Sequence, residues 1–254
     1  MQTTTEDGVL WVTFDRPEVM NAFTTETAAK LADVVSGADP DTHDAVVLTG
    51  EGEAFSAGGD IEAMAEREET PREAYERISE TFGRLAEAMF ECRVPIVAKV
   101  NGDAVGAGLA ITALSDFAYA VEDATFSCAF VHVGLIPDTG GSFLLPKLVG
   151  LRAAKRLAFT GEFFPADEAV ELDLITEVVP EDELDGRVEE LLETLSARPS
   201  ETIGIAKQAI HNNLGRQWRD AMDHENMLQV HAYGSTAHEE GVAAFLEGRN
   251  AEFD

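Results

Sequence analysis

The sequence contains two short glycine-rich segments, Phe55-Ser56-Ala57-Gly58-Gly59-Asp60 and Val105-Gly106-Ala107-Gly108. Each follows apolar residues that are typical of a buried strand, and each precedes a segment that can begin a helix or a turn. Small residues let main-chain N–H groups approach a ligand closely, and the N-terminus of a helix leaves such groups unpaired. Two of these groups directed at one oxygen atom would form an oxyanion hole. Tight packing of a helix on a strand would need the same small residues, so the spacing alone leaves both interpretations open.

Strand and helix patterns alternate on both sides of these segments. The predicted strands cover residues 9–14, 45–50, 94–100, 117–121 and 125–127. A helical run follows Thr24-Thr25 and ends at Gly37, a second covers residues 73–91, and amphipathic helices fill the chain beyond Pro180. This order predicts an α/β core over residues 1–180, followed by a helical region over residues 181–254.

The chain is strongly acidic. Its 254 residues include 18 Lys+Arg and 48 Asp+Glu, which gives a formal net charge of −30. Nucleic-acid binding needs a cationic surface, so we expect no nucleic-acid partner. Dense negative charge repels itself in dilute buffer and is screened in molar salt, which favours a protein of a high-salt cytoplasm over an ordinary acidic protein. We expect no membrane segment and no export signal, because the apolar runs are short and the N-terminus lacks a basic or apolar region.

Several common catalytic motifs are absent from the sequence. It has no P-loop, no HExxH pair and no Gly-x-Ser-x-Gly nucleophile elbow. The two cysteines, Cys92 and Cys128, lie far from any metal-ligand spacing and are expected to be buried, reduced side chains. We therefore expect no metal site and no redox cofactor.

Five motifs in order resemble the crotonase, or enoyl-CoA hydratase/isomerase, superfamily. They are Asp15-Arg16-Pro17 with Asn21-Ala22, the segment 54–61, Val100-Asn101-Gly102 with Gly106-Ala107-Gly108, Gly134-Leu135-Ile136-Pro137-Asp138-Thr139-Gly140-Gly141, and the segment 241–246. The resemblance covers nearly the whole chain. It implies an α/β crotonase (ClpP-like) spiral of ββα units with a C-terminal helical trimerisation region. It also implies a homotrimer or a dimer of trimers that acts on acyl-CoA thioesters, with CoA present as part of the substrate.

The resemblance also assigns residues to a substrate site. The substrate-binding residues that it implies are Ala57, Gly59, Asp60, Ile61, Ala107, Phe130 and Phe245. The N–H groups of Gly59 and Ala107 would form the oxyanion hole, and the backbone at Ala57 would meet the adenine end of CoA. Phe245 would lie near the adenine of a CoA molecule, its own or that of a neighbouring subunit.

Two departures from the family pattern bear on the reaction. Hydratases of the family place two glutamates around the double bond, where this chain has Ala110 and Phe130, and neither residue can carry a proton. Asp138 matches an aspartate of the ring-epoxide isomerase branch of phenylacetate degradation, whose members also shift enoyl-CoA double bonds. A single carboxylate can remove a proton and return it two carbons away while the oxyanion hole holds the dienolate. The sequence therefore predicts an acyl-CoA isomerase with Asp138 as the acid and base.

Other interpretations remain open at this stage. The protein could be a 2-enoyl-CoA hydratase with unusual acids, or a non-catalytic acyl-CoA-binding or assembly protein. Asp138 could cap the following helix or form an Asx-turn. For Asp60 and Asp116 the expected role is hydrogen bonding that fixes loops, and His132 is expected in the core. Asp103 and Glu62 are possible accessory acids.

Overall fold

The computed structural model describes residues 1–253, and the bounds below refer to that part of the chain. The strands are β1 (Gln2–Glu6), β2 (Val9–Phe14), β3 (Ala45–Gly50), β4 (Ala54–Ser56), β5 (Ile96–Val100), β6 (Asp103–Val105), β7 (Phe117–Val121), β8 (Thr125–Ser127), β9 (Phe163–Pro165) and β10 (Glu177–Val179). The helices are α1 (Thr25–Ser36), α2 (Ile61–Ala65), α3 (Pro71–Ile78), α4 (Arg84–Glu91), α5 (Ala107–Leu114), α6 (Gly141–Leu148), α7 (Gly150–Thr160), α8 (Ala166–Glu171), α9 (Leu184–Ser196), α10 (Ser200–Asn213), α11 (Trp218–Tyr233) and α12 (Thr236–Glu247). A π-helix occupies Ser79–Gly83, and a 3-10 helix occupies Ala129–Val133.

The strands form two sheets. The larger sheet has the order β1-β2-β3-β5-β7-β10 and is parallel except for the β1–β2 pair. The smaller sheet has the order β4-β6-β8-β9, in which only β8 and β9 are antiparallel. Parallel strands are connected by crossovers and are covered on both faces, which explains the continuous apolar runs of β3 and β5. The predicted α/β class is confirmed, although β5 begins at Ile96, two residues later than predicted.

Local sequence signals set the bounds of α1. Thr24 is the N-cap, because its Oγ1 accepts a hydrogen bond from the N–H of Thr27 at 3.2 Å. The Thr27 hydroxyl in turn accepts from the N–H of Thr24 at 2.7 Å, which completes a capping box. Gly37 follows the last turn, and the buried face of the helix, which includes Leu31 and Val35, packs against α4. The predicted helix is confirmed.

The helix predicted over residues 73–91 differs from the structure in its middle. It consists of α3, the π-helix Ser79–Gly83 and α4, and it begins at Pro71 rather than at Glu73. Thr70 and Glu73 form a capping box at its start, which explains the earlier beginning. The prediction of one regular α-helix is therefore wrong over five residues.

The C-terminal region is helical, as predicted, and its helix α10 is held to the core by a buried ion pair. The ammonium of Lys207, a residue only 7% exposed, lies 2.6 Å from the Asp116 carboxylate and 3.2 Å from the carbonyl of Val94. Asp116 also accepts a hydrogen bond from the N–H of Ile96 at 2.7 Å. The role expected for Asp116, fixing loops, is confirmed. The division of the chain at residue 180 and the trimerisation role of the last helices stay predictions.

The two cysteines are buried, as the sequence analysis predicts. Cys92 and Cys128 are free and buried, and burial raises the pKa of both thiols, that of Cys128 to about 11. Within residues 1–253, no helix combines the length and the apolar character that crossing a membrane requires.

Candidate active site

The two glycine-rich segments lie side by side. They follow β4 and β6, which are neighbouring parallel strands, so both turns emerge at the same edge of the smaller sheet. Gly58 has φ +93°, and a Cβ atom there would lie 2.7 Å from the carbonyl oxygen of Val105. A Cβ atom on Gly108 would lie 2.5 Å from the carbonyl oxygen of Ser56. Glycine is therefore needed at both positions for the two turns to pack against each other.

Each turn presents one main-chain N–H without a protein acceptor. Phe23 bonds to the residues on either side of Gly59: its N–H donates to Gly58 at 2.6 Å, and its carbonyl accepts from Asp60 at 2.9 Å. The N–H of Gly59 lies outside this pairing, and that of Ala107 is the first of α5. Among the hydrogen bonds of residues 1–253, neither N–H donates to another group of the protein. Both groups are available to an oxygen atom of a ligand.

One cavity of about 230 Å³ brings most of the predicted site residues together. Its lining includes Ala57, Gly59, Ile61, Ala107, Phe130 and Asp138. Apolar side chains that the sequence analysis did not assign to the site complete the walls, among them Met64 and Phe82. Phe82 belongs to the apolar face of its helix, so the periodicity indicated only a core position. Phe82 could have been assigned to the cavity only if the π-helix had been known, and the sequence does not indicate that helix.

Asp138 lies in a tight turn before α6. Thr139 has φ +50° and Gly140 has φ +76°, and the N–H of Gly141 donates to the carbonyl of Asp138 at 2.8 Å. The hydroxyl of Thr139 donates to the Asp138 carboxylate at 3.0 Å. No side chain caps α6, whose N-cap is Gly140, so the alternative role of Asp138 as a helix cap is wrong. Burial raises the pKa of Asp138, and the hydrogen bond from Thr139 opposes the increase.

Asp60 holds the start of α2 in place through its side chain. Its carboxylate accepts hydrogen bonds from the N–H of Ala63 at 3.0 Å and from the guanidinium of Arg16 at 2.9 Å. The Ala63 N–H and Arg16 together lower the pKa of Asp60. The side chain caps α2 and lies outside the cavity lining, whereas the next residue, Ile61, is in it. The loop-fixing role is confirmed, and direct contact of Asp60 with substrate stays a prediction.

Two aromatic predictions have different outcomes. Phe245 lies on α12 with 84% of its surface exposed, in a groove beside Tyr233 and Phe253 that is separate from the cavity. Its contact with the adenine of CoA stays a prediction. The prediction that His132 lies in the core is wrong: the 3-10 helix buries Phe130 and leaves the imidazole exposed at the cavity, with Nε2 3.3 Å from the carbonyl oxygen of Thr160.

Apolar side chains occupy the two positions at which family hydratases have glutamates. Ala110 is buried in α5, and Phe130 forms part of the cavity wall. Within the part of the chain that the structure describes, Asp138 contributes the single carboxyl group of the cavity lining. Two free N–H groups and one carboxyl in an apolar cavity are suited to polarising a carbonyl and moving a proton beside it. These features suit an enzyme site of the enolate-stabilising class.

Comparisons with known proteins agree with this class. The family model described as enoyl-CoA hydratase/isomerase matches residues 4–254. A probable enoyl-CoA hydratase from Rhodobacter capsulatus is 35% identical over 97% of this chain and 95% of its own length. The 1,2-epoxyphenylacetyl-CoA isomerase of Escherichia coli is 34% identical over 98% and 95%. The crystal structure of an enoyl-CoA hydratase from Mycobacterium smegmatis superposes with a TM-score of 0.91 at 30% identity, covering 99% and 98% of the two chains.

The chain therefore belongs to the enoyl-CoA hydratase/isomerase family, that is, to the crotonase superfamily. The resemblance inferred from the five sequence motifs is confirmed. Relatives with both hydratase and isomerase names are similar to the chain, so the family assignment does not by itself select the reaction.

Proposed function

We propose that this protein is an acyl-CoA isomerase that shifts the double bond of an enoyl-CoA thioester. One observation carries the proposal: in the cavity that holds the free N–H groups of Gly59 and Ala107, Asp138 is the single carboxyl among the described residues. The other titratable side chain of the lining, His132, has its Nε2 3.3 Å from the carbonyl oxygen of Thr160. Hydration through the two-glutamate arrangement needs two proton-carrying groups around the double bond. An isomerisation needs one group that takes a proton and gives it back.

The steps follow from this arrangement. The N–H groups of Gly59 and Ala107 hydrogen bond to the thioester oxygen and stabilise the negative charge that develops on it. The Asp138 carboxylate removes a proton from C2 of a 3-enoyl-CoA, and the electron pair of the C–H bond enters the dienolate. The carboxylic acid then returns the proton to C4, so the double bond moves from C3–C4 to C2–C3. A buried carboxyl with a raised pKa is a stronger base than an exposed one.

Rearrangement of a ring epoxide on a CoA thioester is a second candidate. The similarity to the Escherichia coli 1,2-epoxyphenylacetyl-CoA isomerase favours it. The cavity volume of about 230 Å³ is also compatible with a six-membered ring, since apolar cavities of about 150 Å³ hold benzene.

A substrate screen tests the proposed reaction. We expect the protein to convert 3-enoyl-CoA into 2-enoyl-CoA esters much faster than it hydrates the latter, as followed by ultraviolet absorbance in molar KCl. In D₂O, a single carboxyl that carries the same proton gives a product with less than one deuterium per turnover. Hydration at a comparable rate would favour the hydratase. Binding of CoA esters without any turnover would favour the non-catalytic acyl-CoA-binding protein.

We also propose that the protein assembles as a homotrimer or a dimer of trimers. Large apolar side chains are exposed on α11 and α12, which supports an interface there; they include Met227, Val230, Tyr233, Phe245 and Leu246. Light scattering on the eluted protein should give three or six times the 27.4 kDa chain mass. A monomer in molar KCl would contradict the proposal.

We further propose that the protein works in a high-salt cytoplasm. The net charge of −30 supports this, because charge repulsion within acidic clusters is screened as the Debye length falls from about 8 Å at physiological salt to about 3 Å at 1 M. The melting temperature should rise between 0.1 and 2 M KCl. A flat or falling melting temperature would contradict the proposal.

A further inference from the structure

The helix that forms one wall of the cavity contains a π-turn at Ser79–Gly83. Its N–H groups reach one residue further back than in an α-helix: the N–H of Arg84 bonds to the carbonyl of Ser79, five residues earlier. The hydroxyl of Thr81 donates to the carbonyl of Arg77 at 2.7 Å, which adds a side-chain bond to the helix at this point. Short π-turns of this kind occur frequently at functional sites.

The π-turn is anchored to the rest of the protein. The guanidinium of Arg84, the residue that follows it, lies 2.6 Å from the Asp33 carboxylate and 2.9 Å from the carbonyl of Ala29, both on α1. One extra residue rotates the helix before the turn by about 100° relative to the helix after it, because an α-helix has 3.6 residues per turn. The side chains of α3 therefore point in a direction about 100° away from the one they would have if α3 and α4 formed one regular α-helix.

Phe82 is the residue that the π-turn places in the cavity. It is 6% exposed, and it belongs to both the hydrophobic core and the cavity lining. Leu85 and Met89, one and two turns later, are fully buried in the core and do not line the cavity. Ile78, one turn earlier, is 40% exposed. The change of direction thus occurs at Phe82, between an exposed segment and a buried one.

We propose that Phe82 is a specificity-determining residue that sets the size of the acyl group accepted at the site. This inference rests on the proposed function. The N–H groups and Asp138 fix the thioester and the reacting carbons, so the rest of the acyl group lies against the apolar walls. Ile61 is 53% exposed and Met64 has a flexible side chain, so both can move away from a larger group. Phe82 cannot, because the core packs against it.

Two substitutions at Phe82 test the proposal in opposite directions. Phe82→Leu should raise the ratio of kcat/KM for a decenoyl-CoA to that for a hexenoyl-CoA by about tenfold or more, since one methylene in an apolar pocket changes kcat/KM about 10–200-fold. Phe82→Trp should lower the same ratio. Leu85→Ala is the matched control, because it removes a buried side chain from the same helix without reaching the cavity; it should reduce stability and leave the ratio unchanged.

The outcomes separate this inference from the proposed function. If the wild-type protein turns over these esters and the ratio stays the same in Phe82→Leu and Phe82→Trp, Phe82 does not determine specificity and only this inference fails. A ratio that shifts equally in Leu85→Ala would have the same consequence, since it would show a general packing effect. If the wild-type protein turns over none of the esters, the proposed function fails and this inference fails with it.

Discussion

The turns that contain Asp60 and Asp138 lie beside the same cavity and use the same side chain in opposite ways. Asp60 accepts hydrogen bonds from the N–H of Ala63 and from Arg16, and its pKa is lowered. Asp138 accepts a hydrogen bond from the hydroxyl of Thr139 in a buried setting, and its pKa is raised. Hydrogen bonds favour the charged form of the first carboxylate, whereas burial disfavours the charged form of the second.

The two aspartates show how a carboxylate with a structural role differs from a carboxylate that can transfer a proton. A carboxylate that already has an N–H and a guanidinium as partners is a weak base, and moving it would break the cap of α2. A carboxyl that gains little from its neighbours can give and take a proton at small cost. The resemblance to the family distinguished the two residues, whereas their local sequence does not, because each follows a glycine or a proline in a turn.

The largest expected effect is on the rate. Asp138→Asn should lower kcat for a 3-enoyl-CoA by about 10²–10⁴, the usual contribution of a general acid or base. The dissociation constant for a saturated acyl-CoA should change little, because the N–H groups remain. Asp60→Asn should reduce kcat far less, since its side chain lies outside the cavity. Full activity in Asp138→Asn, measured at saturating substrate, would remove Asp138 from the mechanism.

The second-largest expected effect is on the free energy of unfolding. Asp60→Ala removes the cap of α2 and the partner of Arg16, and it should lower the free energy of unfolding by about 0.5–2 kcal/mol. Asp138→Asn should raise that free energy at neutral pH, because it removes a buried charge. Denaturant titration in constant KCl measures both changes. Glu62→Ala is the control: this exposed carboxylate sits in the first turn of α2, and the change should stay within about 0.5 kcal/mol. Equal losses in Asp60→Ala and Glu62→Ala would contradict the capping role.

The smallest expected effect is on the pH dependence of stability. It concerns how the difference in the free energy of unfolding between each variant and the wild-type protein changes with pH. The stability from Asp60, whose pKa is lowered, is present above its unfolded pKa of about 3.9 and is lost as the pH falls through the folded pKa. The pKa of Asp138 is raised, so its contribution to the free energy of unfolding is present below its unfolded pKa of about 3.9. That contribution is lost as the pH rises through the folded pKa. Unfolding curves between pH 3 and 8 should therefore give differences of opposite sign for Asp60→Asn and Asp138→Asn. The same sign in both variants would refute the assignment of the two shifts.

Much of the architecture could be predicted because local rules act on a few residues. The capping box at Thr24 and the glycine at position 37 bound α1, and the apolar run 45–50 indicated a buried strand. The two glycine-rich turns were noticed in the sequence because close backbone packing restricts residue choice, and Asp138 was identified through the resemblance to the ring-epoxide isomerase branch. The structure places all of them at one cavity.

Features that depend on three-dimensional packing could not be predicted. The π-turn at Ser79–Gly83 interrupts a segment with good helical periodicity, and no residue in it excludes an ordinary α-helix. The exposure of His132 follows from the short 3-10 helix, whose tighter turn changes which side chain points inward. Phe82 could not be predicted as a cavity residue either, because it lies in the π-turn. A periodicity indicates that a face is apolar and does not say whether core or cavity lies against it.

The buried pair of Lys207 and Asp116 has a consequence for biosynthesis. Lys207 follows Asp116 by 91 residues in the sequence. At a synthesis rate of about 5–20 residues per second, Lys207 is added roughly 5–18 s after Asp116. During that interval the Asp116 carboxylate can accept the hydrogen bond from the N–H of Ile96, but it has no Lys207 ammonium beside it. The ion pair that holds α10 to the core can therefore form only after residue 207 has been synthesised, when most of the α/β region has already left the ribosomal active centre.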